Sequence, residues 1–239
     1  MAKEQKTMME TLQEEVHASW NKASSRLAAV LAVSIMVGLP LVFQDYYFNI
    51  LQVKYWYYCG VVIAAAVIYV IMAVIFWNRD RKWCDGALLK GLKSNLSLKS
   101  LTVAEWAMLA FLLASAISTL QSEYVYESFW GNEGRFVGLF MIILYTISFF
   151  IIARKLEFKK WYLDVFLGTG MIVCLIGILH YFEFDPIGFK NDLNYLDYVD
   201  FTSTIGNINT YTSYLALVVG VSTVLFTVEK EAKRKVWCT

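Results

Sequence analysis

The chain has 239 residues, of which 58% are apolar and two are proline, with a mean hydropathy of +0.51 and a formal net charge of +1. A helical span needs roughly 20 apolar residues to cross a hydrocarbon core of about 30 Å, and several uninterrupted runs here have that length. The composition therefore excludes a water-soluble globular enzyme and predicts an all-α, polytopic membrane protein of about six transmembrane helices.

Residues 1–26 form a polar segment of mixed charge, read as cytoplasmic. Within it Met8, Leu12, Val16 and Trp20 recur every four residues and make one apolar stripe if the segment is helical. Two readings stay open for it, a helix on the membrane surface and a solvated terminus. A six-helix transmembrane domain is expected over residues 27–228. Its first run is Leu27 to Phe43, an uncleaved helix expected to bend near Gly38-Leu39-Pro40, where the proline ring removes a backbone donor. A connector, Gln44 to Lys54, leads to a second helix at about Tyr55 to Trp77, framed by interfacial tyrosines and tryptophans.

A basic stretch at 78–100 precedes a third helix at about Leu101 to Leu120. The loop Gln121 to Gly138 follows, with three carboxylates, Arg135 and five aromatic rings, Tyr124, Tyr126, Phe129, Trp130 and Phe136. It reads equally as a binding edge and as an interfacial aromatic belt. The fourth helix is expected at about Val137 to Ala153 and the fifth at about Trp161 to Phe182, joined by the basic connector 154–160. An acidic loop, Glu183 to Gly206, leads to a sixth helix at about Ile208 to Val228, and residues 229–239 form a basic cytoplasmic tail.

Charge sorts by side. Of the 21 Lys and Arg residues, all but Lys54, Arg135 and Lys190 fall in the terminal segments, the 78–100 stretch or the 154–160 connector. The positive-inside rule then places both termini in the cytoplasm and the acidic loops outside. Glu105 and Asp164 lie within apolar runs, about one turn from a cytoplasmic helix end. An intramembrane carboxylate is often functional, but at that position a structural role is favoured. His180, near the outer end of the fifth helix, is either an amphipathic anchor or a proton acceptor at an outer site.

The four cysteines show no CxxC spacing, so neither a disulfide nor a metal cluster is expected. No phosphate-cradling loop, HExxH or GxSxG motif is present. The basic residues form no single patch of the kind that grips nucleic acid.

Two segments carry a family likeness. Gly131-Asn132-Glu133-Gly134-Arg135-Phe136-Val137-Gly138-Leu139 resembles the G-x-x-G-R-x-x-G-L pattern of the O-antigen ligase and O-antigen polymerase-like membrane proteins. About seventy residues later, Ser203 to Ala216, containing Gly206-Asn207-Ile208-Asn209, resembles that family's G-N-P-N segment, with Ile208 standing where proline is usual. The likeness covers roughly Leu101 to Val228. It implies a bacterial inner-membrane protein of cell-surface polysaccharide assembly, without cofactor or metal. Its implied activity is transfer of a glycan from an undecaprenyl diphosphate carrier to an acceptor on the outer face.

The departing diphosphate concentrates negative charge, and positioned cations must stabilise it. Arg135, a permanently charged planar fork, suits that role. Asn207 and Asn209 can offer amide donors at a helix N-terminus or act as ordinary helix caps. His180 completes the set of candidate substrate-binding residues, while the catalytic base is left unassigned. The family's members are about twice as long, so the likeness also implies a second-half polypeptide bringing further cations, without which the chain is expected to be inactive. The competing class is a non-catalytic assembly partner or a small transporter, which would show interrupted helices with polar groups near mid-membrane. Gly168 and Gly170 are its hint in the sequence.

Overall fold

A computed structural model describes residues 2–44, 49–83, 100–132, 134–189 and 202–237. The described residues are helical and include no strand. Five helical stretches are long and apolar enough to cross a membrane: Glu10–Leu41, Ile50–Arg81, Val103–Leu120, Trp161–Tyr181 and Ile208–Val228. The expected fourth span is a helix of 17 residues, Leu139–Lys155. Backbone contacts divide the chain into two compact units, residues 1–32 with 59–157 and residues 33–58 with 158–239.

In the first unit, α1 (Ala2–Val33) runs unbroken through residue 26, so the polar N-terminal segment and the start of the first apolar run are one helix. The four-residue stripe explains why. Trp20, 3% exposed, sits edge-on to Tyr69 and Phe76 of α3 (Ile50–Trp83), each with ring centroids 5.5 Å away. The Lys155 ammonium lies 5.5 Å above the same indole, a cation–π contact. Met8, at the outer end of the stripe, stays exposed.

The next helix, α4 (Val103–Leu120), begins with a capping box: Thr102 Oγ1 accepts from Glu105 N–H, and the Glu105 carboxylate accepts from Thr102 N–H. Glu105 also pairs with Arg154 Nε at 2.5 Å. That pair ties α4 to α6 (Leu139–Lys155), so the buried carboxylate is structural. Between them lies α5 (Val125–Trp130), a short helix where an irregular loop is expected from the sequence.

The second unit holds the break in the first apolar run. A π-helical turn, Ser34–Gly38, leads into a last α-helical turn, α2 (Leu39–Leu41). Pro40 has no N–H, and its ring would crowd the carbonyl four residues back, so the widened turn admits the ring without ending the helix. Lys54 is an inward-turned residue in the first turns of α3 rather than a connector cation. Its ammonium donates to the Leu39, Pro40 and Val42 carbonyls at 2.5, 3.1 and 3.1 Å, capping the broken helix end. Tyr57 Oη donates to Ser34 O at 3.0 Å, using a carbonyl beside the π turn.

The remaining long helices of this unit are α7 (Trp161–Tyr181) and α8 (Ile208–Val228). Gly170 faces Val218 and Gly177 faces the Tyr211 phenol, so the two helices run antiparallel in close contact. The Gly168–Gly170 hint of an interrupted helix is thereby corrected: α7 is continuous there, and Gly170 serves packing. The final short helix, α9 (Ala232–Trp237), is pinned where Arg234 Nη2 donates to both Asp164 carboxylate oxygens at 2.9 and 3.0 Å. Glu229 adds contacts to Lys160 at 3.4 Å and to Arg234 at 3.6 Å. Asp164 is thus a tail anchor, as its place near a helix end suggests.

Candidate functional site: two motif-bearing loops

Each family-like segment starts in a loop and runs into a helix, one per unit: residues 131–138 lead into α6, and residues 203–207 lead into α8. In the first unit the loop opens where Ser128 Oγ donates to Ser122 Oγ at 2.8 Å, while Ser122 Oγ also accepts from Tyr124 N–H at 3.1 Å. One and a half turns of α5 follow. Phe129 and Trp130 then turn onto Phe140 of α6, with centroids 6.3 and 5.1 Å away. Phe129 is half-buried there, whereas Trp130, Tyr124 and Tyr126 remain exposed.

Beyond Trp130 the chain is pinched. A Cβ added at Gly138 would lie 2.3 Å from Phe129 O and 2.5 Å from Gly131 N; one added at Gly131 would lie 2.6 Å from Val137 N. The obstacles are backbone atoms, which cannot swing aside as a side chain can. Gly131 also sits at φ +86°, a region that L side chains resist. The first and last glycines of the Gly131–Gly138 motif therefore form the neck of a small closed loop.

Arg135 sits at the loop's tip, in a turn where its own N–H and that of Phe136 both donate to Asn132 O, at 3.2 and 3.0 Å. Phe136 takes φ +50°, a strained value for a bulky residue. The Arg135 side chain is exposed, and among the described residues no carboxylate pairs with it. The loop offers a cation on a fixed backbone with solvent around it.

The second unit's loop behaves differently. Within Glu183 to Gly206, residues 190–201 lie outside the described residues, and with them Lys190, Asp192, Asp197 and Asp200. Residues 202–205 are buried, and Ser203–Ile205 form a 3-10 turn. Ser203 Oγ donates to Val173 O at 2.7 Å, and Thr204 Oγ1 donates to Pro40 O at 2.8 Å. Val173 lies eight residues before the end of α7, about 12 Å along the axis. The 3-10 turn thus enters the protein alongside α7 instead of lying over its end. Ile205 joins Val173 and Tyr211 in the local core, flanked by Leu41, Tyr214 and Leu215. Within the turn the Ile205 and Gly206 N–H groups donate to Thr202 O at 3.2 and 3.4 Å, the internal pairing that buried polar backbone requires.

Asn207 is a helix cap: its Oδ1 accepts from Asn209 N–H and Thr210 N–H at 3.0 and 3.2 Å. The capping reading accounts for that oxygen without any substrate. Asn209 is exposed, and its carbonyl accepts from Thr212 Oγ1 and Ser213 Oγ at 3.0 and 2.8 Å. His180 is 2% exposed, with Nε2 3.7 Å from Asp185 Oδ1 and its ring 5.6 Å from that of Phe189. It is a packed residue beside a carboxylate and does not reach out as an amphipathic anchor would.

Arg135 thus belongs to the first unit, and His180, Asn207 and Asn209 to the second. The residues that sequence reasoning missed are Lys54, Tyr57, Ser203 and Thr204. The readable signal was a proline inside an apolar run with a lysine fourteen residues later. Among the described residues no group of three His, Cys, Asp or Glu side chains is placed to hold a metal ion. Compared with family models, curated proteins and solved structures, the chain matches none.

Proposed function

We propose that this chain is a bacterial inner-membrane protein of the O-antigen ligase-like kind, with six spans and cytoplasmic termini. In this reading it acts in cell-surface polysaccharide assembly and handles an undecaprenyl diphosphate-linked glycan at the outer face. Arg135 meets the diphosphate and stabilises the charge that grows on it as the glycan is transferred. The observation that carries the reading is the glycine-pinched loop, which holds an exposed guanidinium on a fixed backbone. A pre-positioned cation contributes more than a mobile one, because no reorganisation is needed as charge develops. The 17-residue helix Leu139–Lys155 serves as the remaining span, a length at the lower end of what crosses a bilayer.

The decisive measurement is affinity for an undecaprenyl diphosphate-linked glycan in proteoliposomes. Arg135→Gln should weaken binding by about ten- to a hundredfold, the loss of one charge-assisted hydrogen bond. Arg135→Lys, which keeps charge but not the fork, should recover part of it. Unchanged affinity in a well-folded Arg135→Gln protein overturns the role. For orientation, a single cysteine at Glu127 should react with an impermeant thiol reagent in intact cells, and one at Lys159 only after permeabilisation.

A second reading, a small transporter, is favoured by a different observation. The first apolar helix widens into a π turn at Ser34–Gly38, and the Pro40 carbonyl in its last turn meets Lys54 and Thr204. Broken helices that present carbonyls are how transporters build solute sites. Gradient-driven uptake in proteoliposomes that Lys54→Met abolishes and Arg135→Gln spares would select this reading.

A further inference from the structure

Both α1 and α3 are longer than a bilayer requires. At 32 and 34 residues they extend about 48 and 51 Å against a hydrocarbon core of about 30 Å. On α3 the unbroken apolar stretch ends at Trp77, which is 48% exposed, and Asn78-Arg79-Asp80-Arg81 follow. Tryptophan marks the headgroup boundary, so Arg79 stands at headgroup level. Trp20 of α1 packs on Tyr69 and Phe76, so the part of α1 before Trp20 runs alongside the polar end of α3.

At that level the first unit contains a groove of about 300 Å³ lined by Leu12, Glu15, Val16, Ser19 and Arg79. Its lining has an unusual charge pattern. Glu15 and Arg79 both face the same space, both are exposed, and among the described residues neither forms an ion pair. Leu12 and Val16 give the groove an apolar wall, and Ser19 adds a hydroxyl. A ligand complementary to this lining carries an anion and a hydrogen-bonding cation next to an apolar portion.

We infer that this groove binds the headgroup of a phosphatidylethanolamine. Arg79 pairs with the phosphate, whose oxygens suit the guanidinium fork. Glu15 accepts hydrogen bonds from the primary ammonium, Ser19 donates to a phosphate oxygen, and the upper acyl chain lies against Leu12 and Val16. The chemistry separates the common headgroups. A choline cation has no N–H to give Glu15, and a glycerol headgroup has no cation. A groove built from arginine alone would prefer the net-anionic glycerol lipid, and Glu15 reverses that order. The inference stands apart from the diphosphate reading, because it uses neither Arg135 nor the orientation of the chain.

The experiment is native mass spectrometry of the full chain released from nanodiscs containing equal parts of phosphatidylethanolamine, phosphatidylcholine and phosphatidylglycerol. Wild type should retain phosphatidylethanolamine over each competitor by roughly tenfold, the factor that one charge-assisted hydrogen bond supplies. Glu15→Gln should erase the advantage over phosphatidylcholine, and Arg79→Gln should lower retention of all three. The exchange Glu15→Arg with Arg79→Glu keeps both charges in the groove and should restore the preference. Circular dichroism and size exclusion verify folding of each variant. Equal retention of phosphatidylethanolamine and phosphatidylcholine by wild type overturns the inference. So does a preference for phosphatidylglycerol, or an ethanolamine preference unchanged in Glu15→Gln.

Discussion

The two loops that carry the family-like segments solve the same problem in opposite ways. Loop 121–138 is fixed by its own backbone: two glycines close its neck, and Arg135 projects from the tip. The segment 202–206 is fixed by other elements: Ser203 is tied to α7 and Thr204 to the broken helix end, so its polar side chains are turned inward and used up. In the first loop Arg135 is available to a ligand; in the second, Ser203, Thr204 and the Asn207 oxygen are committed to structure, while Asn209 stays exposed. Similarity of sequence to a binding motif therefore carries different weight in the two places.

Breaking the neck should have the largest effect. In Gly138→Ala the new methyl would meet backbone atoms at 2.3 and 2.5 Å, and overpacking of that kind costs about 3 kcal/mol. Thermal unfolding in detergent reads the loss, with Gly60→Ala as the control, since a Cβ there meets nothing within 4 Å.

Next comes Lys54→Met, which strips three carbonyls of one ammonium. Loss of charge-assisted hydrogen bonds should destabilise by about 2–3 kcal/mol. A smaller change is expected from Thr204→Val, about 1 kcal/mol, because Pro40 O keeps its bond from Lys54. Arg135→Ala should leave stability within about 0.5 kcal/mol, as for exposed residues outside any network. If it destabilises as much as Lys54→Met, the distinction between the two loops fails.

The smallest effect is on the tail, away from both loops. Burial raises the Glu229 pKa, but Lys160, the Lys230 N–H and Arg234 outweigh it, holding the carboxyl below its ordinary 4.5. A depressed folded value means the contact is fully present above the ordinary value and is lost as pH falls through the folded one. Limited proteolysis should therefore release the tail faster at pH 3 than at pH 7, and Glu229→Gln should flatten that dependence.

Much of this was legible beforehand. Apolar runs marked the long helices, and the place of Glu105 and Asp164 near helix ends pointed to a structural role, though not to their arginine partners. The stripe through Trp20 was visible, but it left open a surface helix or a solvated terminus; in the structure Trp20 is its buried member, Leu12 and Val16 are half-buried and Met8 is exposed. Lys54 was misread because hydropathy places a lysine at a boundary by default, and only a tertiary partner, the end carbonyls of the helix that stops at Leu41, draws it inward. Ser203 and Thr204 were placed in an outer loop for the same reason. A polar side chain signals solvent until the acceptors it answers are known, and Val173 O and Pro40 O lie far away in sequence. The neck of the first loop was visible only as spaced glycines, with nothing to say that they faced one another.

The oxygen of Pro40 also orders events in time. It accepts from Lys54, fourteen residues on, and from Thr204, 164 residues on. The nearer donor closes a short loop at small entropic cost, so the first two helices can clasp as a hairpin as soon as the second is synthesised. The distant donor arrives only once α7 is in place and residues 202–206 have tucked in beside it. A single carbonyl is thus bonded first by a local contact and last by a remote one, and the same atom that starts assembly of this unit records its completion.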